Sequence, residues 1–159
     1  MWKQTLLIAS GMLALSSLPA AAQSTPAAPA AVAPQYDAEL ARSLGGDDNG
    51  MKKYVLVILK TGPNKVPAGP ARTEMFKGHF ANMERLAGEK KLAMAGPLDG
   101  VDGWRGVFVF ATPDIEQAKT YVATDPVIIS GEMIAEYHVF YASAGLMMMT
   151  EIHKKISKK

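Results

Sequence analysis

The residues most able to do chemistry in this chain are a histidine, an aspartate and an arginine on three separate stretches. His79 lies in GHFANMERLAG, where Met75, Phe76, Phe80, Met83, Leu86 and Ala87 recur at steps of three and four, so a helix would place it on one apolar stripe with them. An imidazole in such a partly desolvated place can act as a general acid or base, but it needs a second group to orient it. Asp125, which opens an Asp125-Pro126 pair, is the candidate for that role. The plainer reading makes His79 a hydrogen-bonded core residue and Asp125 a helix cap. Arg105, in GWRG, can hold a substrate carboxylate through its planar fork, or can simply pair across a sheet. Trp104 and Tyr137 can line a pocket, or serve as core or interface residues.

Other groupings are poorer. Glu136 and His138 are two apart on a presumed strand and so share a face, but two ligands fall short of the three or four a metal ion usually takes. Met147, Met148 and Met149 followed by His153 have the softness for Cu(I), yet a methionine-rich helix face is the usual material of packing. There is no glycine-rich phosphate loop after a strand, no nucleophile elbow and no basic stripe interleaved with aromatics. No metal and no cofactor is expected.

These residues must be positioned by a small set of elements. Lys53 to Lys60, KYVLVILK, is a β-branched apolar run of strand length, and the glycines and prolines from Thr61 to Ala71 make a loop. The histidine-bearing helix begins near Arg72 and is followed by a short strand, Leu92 to Gly96. Asp99-Gly100 and Asp102-Gly103 are turn dipeptides, so that strand should pair as an antiparallel hairpin with Trp104 to Ala111. Thr112-Pro113 predicts a helix cap with proline at the first helical position and a helix to about Ala123. Asp125-Pro126 repeats the signal for one more turn, and Glu132 to Tyr141 is the fourth strand. The order strand, helix, strand, strand, helix, strand predicts an α+β fold, a ferredoxin-like βαββαβ plait.

Flanking segments read differently. Lys3, the apolar run Leu6 to Leu18 and the small residues Ala20, Ala21 and Ala22 form the three-part pattern of a secretory signal peptide over 1–22, cleaved after Ala22. Its apolar core is too short for a permanent span, so no membrane span is expected after cleavage, and the mature protein should be periplasmic or secreted. Residues 23–52 comprise an Ala/Pro-rich linker and a short lead-in helix from Tyr36 to Leu44, ended by Gly45 and Gly46. After the domain at 53–141, Ser143 is expected to cap a C-terminal helix lined by Leu146, Met149, Ile152 and Ile156, with a basic tail, over 142–159.

Composition narrows the partners. The 159-residue chain has a formal net charge of +2, so nucleic acid has no bulk electrostatic support as a partner. It has no cysteine, which excludes disulfides and thiol nucleophiles. Two helices cover one face of a four-stranded sheet, yet both KYVLVILK and GVFVFA are apolar on their two alternating faces. The open face therefore calls for a partner, most economically a second copy, giving a homodimer.

Taken together, KYVLVILKTGPN, GHFANMERLAGEKKLAMAGPL, GWRGVFVF and ATDPVIISGEMIAEYHVF resemble the YCII-related domain over roughly Lys53 to Tyr141. The resemblance implies a dimeric α+β barrel, in which two plaits put their sheets together and keep small-molecule pockets between helix and sheet. It also implies that a histidine and an aspartate form the active-site pair, which by position are His79 and Asp125. One branch of the family resembles isomerases and dehalogenases that act on ring-cleavage acids by proton abstraction. The expectation is thus an exported enzyme of isomerase or lyase type acting on a small carboxylic acid, with a non-catalytic small-molecule binding module as the alternative.

Overall fold

The computed structural model describes residues 35–158. The expected signal peptide, its cleavage site and nearly all of the Ala/Pro-rich segment lie outside the described residues. A lead-in helix α1 (Ala38–Leu44) starts two residues later than expected, because Asp37 accepts a hydrogen bond from the Leu40 amide and so sets the start. Strand β1 (Met51–Thr61) leads to α2 (Pro70–Gly88), β2 (Leu92–Pro97) and β3 (Trp104–Phe110). Then come α3 (Ile115–Val122), the single turn α4 (Pro126–Ile129), β4 (Met133–Ser143) and, after a 3₁₀ segment Ala144–Met148, the helix α5 (Met149–Ile156).

The sheet has the order β2-β3-β1-β4, with every neighbouring pair antiparallel. This α+β arrangement is consistent with the ferredoxin-like plait read from the sequence. The hairpin between β2 and β3 closes through a 3₁₀ turn at Val101–Gly103, where Gly100 (φ 87°), Asp102 (φ 54°) and Gly103 (φ 76°) take the left-handed conformation that such turn residues tolerate.

Two further element starts differ from the sequence reading. Helix α3 begins at Ile115, not after Thr112, because Asp114 accepts from the Glu116 amide while Thr112 Oγ1 accepts from the Asp114 amide and forms the preceding turn. Strand β4 begins at Met133, and Glu132 turns its carboxylate inward just before the strand.

One face of the sheet carries the main core. Val55, Val57 and Leu59 of β1 and Phe108 and Phe110 of β3 pack with Leu86 of α2, Ala118 and Val122 of α3 and Val127 of α4. Residues of opposite parity, Tyr54 and Val109, form a second cluster with Ala93, and Leu146 and Met147 of the 3₁₀ segment pack against it. The chain's own C-terminal segment therefore covers part of the reverse face, a role the sequence reading gave wholly to a second subunit. On the same face, Leu56 and Val107 stay partly exposed, and β4 offers exposed Ile134. The expected C-terminal stripe divides in the same way: Leu146 packs inward, whereas Met149, Ile152 and Ile156 are exposed. No helix of the described residues is long and apolar enough to cross a membrane.

Candidate active site

The site is built where α2 passes α4. Pro70 occupies the first turn of α2, where a missing amide costs nothing, and the helix runs unbroken past His79 to Gly88. Gly78 lets the two elements meet: a Cβ there would stand 3.0 Å from Cγ of Pro126. Asp125 is the N-cap of α4, and its Oδ1 accepts from the Val127 amide at 3.1 Å. A residue that caps a helix has its carboxylate fixed by the backbone, so Asp125 is held before any partner arrives.

That partner is His79. Its Nδ1 lies 2.9 Å from Oδ1 and 2.8 Å from Oδ2 of Asp125, with the histidine 7% exposed and the aspartate 0% exposed. A carboxylate only accepts hydrogen bonds, so this contact assigns the proton to Nδ1 and leaves Nε2 with the free lone pair in the neutral ring. Among the described residues Nε2 has no hydrogen-bond partner, and no polar side-chain atom is both sealed from solvent and unpaired, so Nε2 retains access to solvent. Three rings enclose the imidazole, with centroids 6.0 Å (Phe76), 5.4 Å (Phe80) and 6.0 Å (Phe108) from it. A histidine oriented on one nitrogen and open on the other can exchange a proton through the open one.

The apolar stripe was read too widely in the sequence. His79, Asn82 and Leu86 are the buried residues of α2, whereas Phe80 is 59% exposed. Asn82 was not singled out. Its Oδ1 accepts from Arg85 Nη2 at 2.7 Å and from Thr124 Oγ1 at 3.0 Å, which ties the residue before Asp125 to α2 one helical turn from His79. The signal was present as an amide on an otherwise apolar stripe, three positions after the histidine.

A second polar centre lies at the start of α2. Glu132, 2% exposed, accepts from the Val66 amide at 2.7 Å and is ion-paired with Arg72 Nη1 at 2.7 Å and, more loosely, with Arg105 Nη1 at 3.8 Å. Burial pushes its carboxyl pKa up, but the Val66 hydrogen bond and the two guanidinium groups outweigh that and hold it below its ordinary value. The loop of residues 62–69, whose Val66 amide reaches Glu132, is fastened by backbone too: Gly62 N–H donates to Glu132 O at 2.8 Å and Asn64 N–H to Gly131 O at 3.1 Å. Arg72 also donates from Nη1 to Val66 O at 2.9 Å.

Beside this centre an open groove of about 640 Å³ runs along α2, lined by Ala68, Gly69, Arg72, Thr73, Phe76, Lys77 and Phe80. His79 is not among the lining residues, but Phe76 and Phe80 touch both. The remaining sequence candidates do not line the groove. Arg105 is drawn to Glu132, and Trp104 is exposed at the start of β3. Tyr137 packs against the main core with Lys119 5.9 Å above its ring; burial, then the charge of Glu116, raises its pKa. The Glu136–His138 pair is joined at 2.8 Å on the exposed surface. No group of three or more potential metal ligands is gathered among the described residues.

Comparison with known proteins adds two findings. The model of the YCII-related domain matches residues 53–143, a span that takes in every strand but the first two residues of β1. The chain is also similar to the uncharacterized protein YjpA of Bacillus subtilis (strain 168), at 35% identity over 65 residues, covering 38% of this chain and 74% of that protein.

Proposed function

The chain belongs to the YCII-related domain family, and from that premise we propose that it is a proton-transfer enzyme of isomerase or lyase type, acting on a small carboxylic acid. The observation that carries this reading is the doubly held Nδ1 of His79, 2.8 and 2.9 Å from the two oxygens of Asp125, with Nε2 left open. In the proposed cycle Nε2 removes a proton from carbon next to the activated group of the substrate. Asp125 keeps the ring in the one tautomer that can accept there and balances the imidazolium that forms. The same Nε2 then returns the proton to another atom of the substrate, or loses it to water after a leaving group departs. The rings of Phe76, Phe80 and Phe108 limit water around the imidazole, which strengthens its interaction with Asp125.

Two further parts of the reading rest on the sequence. The protein is exported by the leader at 1–22. It works as a homodimer of α+β barrel type, joined through the part of the reverse sheet face that the C-terminal segment leaves open, where Leu56, Val107 and Ile134 remain accessible.

A screen of small carboxylic acids for turnover tests the reaction, with wild type set against His79→Ala and Asp125→Asn. Turnover that falls by about a hundredfold or more in His79→Ala, the usual scale for a general base, supports the reading. Turnover unchanged in His79→Ala refutes it and leaves a binding module. Light scattering on the same samples checks the assembly, and a monomer at micromolar concentration contradicts the dimer. An exported protein whose N-terminus is not near Gln23 contradicts the cleavage site.

A further inference from the structure

Glu132 is a buried carboxylate facing two guanidinium groups, so the cluster it forms with Arg72 and Arg105 carries one positive charge in excess. The excess is presented on one side. Among the described residues both polar contacts of Arg72, to Glu132 and to Val66 O, leave from Nη1. Among the described residues Nε and Nη2 have no partner, so the guanidinium keeps donors free while its position is set from behind. That is the condition for a preorganised anion grip, because the side-chain entropy is already lost before a ligand binds.

The surroundings define the rest of the ligand. Arg72 lies 5.0 Å above the ring of Phe76, and Phe76 and Phe80 follow it along the same side of α2 with ring centroids 6.4 Å apart. Phe80 is 59% exposed, in a position where packing of the fold does not call for an aromatic residue. A cation braced on Phe76 and followed by the exposed ring of Phe80 matches an anionic group attached to a flat, polarisable carbon frame. Lys77 adds positive charge at the rim, partly balanced by Glu74 at 3.4 Å.

We propose that the groove of Arg72, Phe76 and Phe80 is the recognition site for an aromatic or conjugated carboxylic acid, with Arg72 gripping the carboxylate and the Phe80 ring stacking on the frame. The proposal deepens the reading of the His79 site by naming its substrate class. Phe80 also flanks the imidazole at 5.4 Å, so a frame lying on it reaches toward His79. Arg72 replaces Arg105 as the carboxylate-binding residue.

The test is equilibrium binding to the full-length mature protein by calorimetry, which needs no turnover and so separates this proposal from the proton-transfer reading. The probes are benzoate, cyclohexanecarboxylate and benzamide. Benzoate is expected to bind more tightly than cyclohexanecarboxylate, which lacks the flat ring, and benzamide, which lacks the charge, is expected not to compete. Phe80→Ala should weaken benzoate about threefold to tenfold. Arg72→Gln should weaken it about tenfold or more. Arg72 also braces the 62–69 loop, so Arg72→Lys, which keeps the charge toward Glu132 but not the fork, stands in for it should Arg72→Gln not fold. His79→Ala should still bind benzoate, whatever it does to turnover. Absence of benzoate binding at tens of millimolar, equal binding of benzamide, or an unchanged affinity in Phe80→Ala overturns the proposal. It is overturned too if Phe80→Ala converts a dimer to a monomer, since the groove would then be covered by a second copy.

Discussion

Replacing Asp125 by alanine and by asparagine separates what the carboxylate does for the fold from what it does for the imidazole. Asp125→Ala removes the acceptor for the Val127 amide and both acceptors facing His79 Nδ1. Loss of an N-cap costs about 1 kcal/mol. Leaving the buried His79 donor unpaired costs about 1–3 kcal/mol more. Both side chains are buried, so no discount for solvent screening applies. The expected loss is roughly 3 kcal/mol, the two contributions together. Asp125→Asn keeps Oδ1 for the cap, where asparagine serves as well as aspartate, but puts an amide donor in the Oδ2 place 2.8 Å from His79 Nδ1, so the ring stays paired by taking the other tautomer and the expected cost is below about 1.5 kcal/mol. Urea unfolding measures both as shifts of the midpoint at constant slope. A double-mutant cycle of Asp125→Ala with His79→Ala should return a coupling of about 1 kcal/mol or more. Equal losses in the alanine and asparagine variants, or additive losses in the cycle, would refute the view that Asp125 and His79 act as one hydrogen-bonded unit.

Two other outcomes follow from the fastening of the 62–69 loop to Glu132 at the start of β4. Glu132 has its folded pKa below the ordinary 4.5, so it contributes stability that is complete above about 4.5 and is lost as the pH falls through the depressed folded value. Wild type should therefore lose stability in acid below about pH 4.5 more steeply than Glu132→Gln, as read by thermal unfolding across pH; parallel profiles would show that the carboxylate is not the group responsible. At Gly62 an added Cβ would collide with the carbonyl oxygen of Gly131 and lie 2.9 Å from backbone carbon of Glu132, so Gly62→Ala must push the 62–69 loop away from β4. Amide exchange should show faster opening of the Gly62 and Val66 amides in that variant, and unaltered protection there would contradict the close approach.

Much of the architecture was legible because strand and turn signals are local. KYVLVILK and GVFVFA needed only their own β-branched and aromatic residues, and the Asp-Gly pairs closed the hairpin between β2 and β3. Helix starts were legible where the cap is adjacent, as at Asp125-Pro126, and misread where two caps compete, as at Thr112 and Asp114. The exposure of Phe80 could not be read from spacing, since a stripe of period 3.6 does not say where the covering elements end. Asn82, Glu132 and Arg72 were passed over for a related reason: each is a common polar residue that gains meaning only from partners 42, 66 and 60 positions away.

By itself, the sequence determined the type and order of the secondary elements, the lack of disulfide chemistry and the presence of one histidine in an apolar helix. Those properties depend on neighbours within a few positions, where periodicity and capping act. Only the tertiary structure decided that Asp125 meets His79 across 46 residues, that the C-terminal segment covers Tyr54 and Val109, and that Arg72 is braced by Glu132 with donors to spare. The reason is geometric. A close approach such as that of Gly78 to Pro126 arises from how a helix rests on a turn, and no local pattern records where two distant segments will touch.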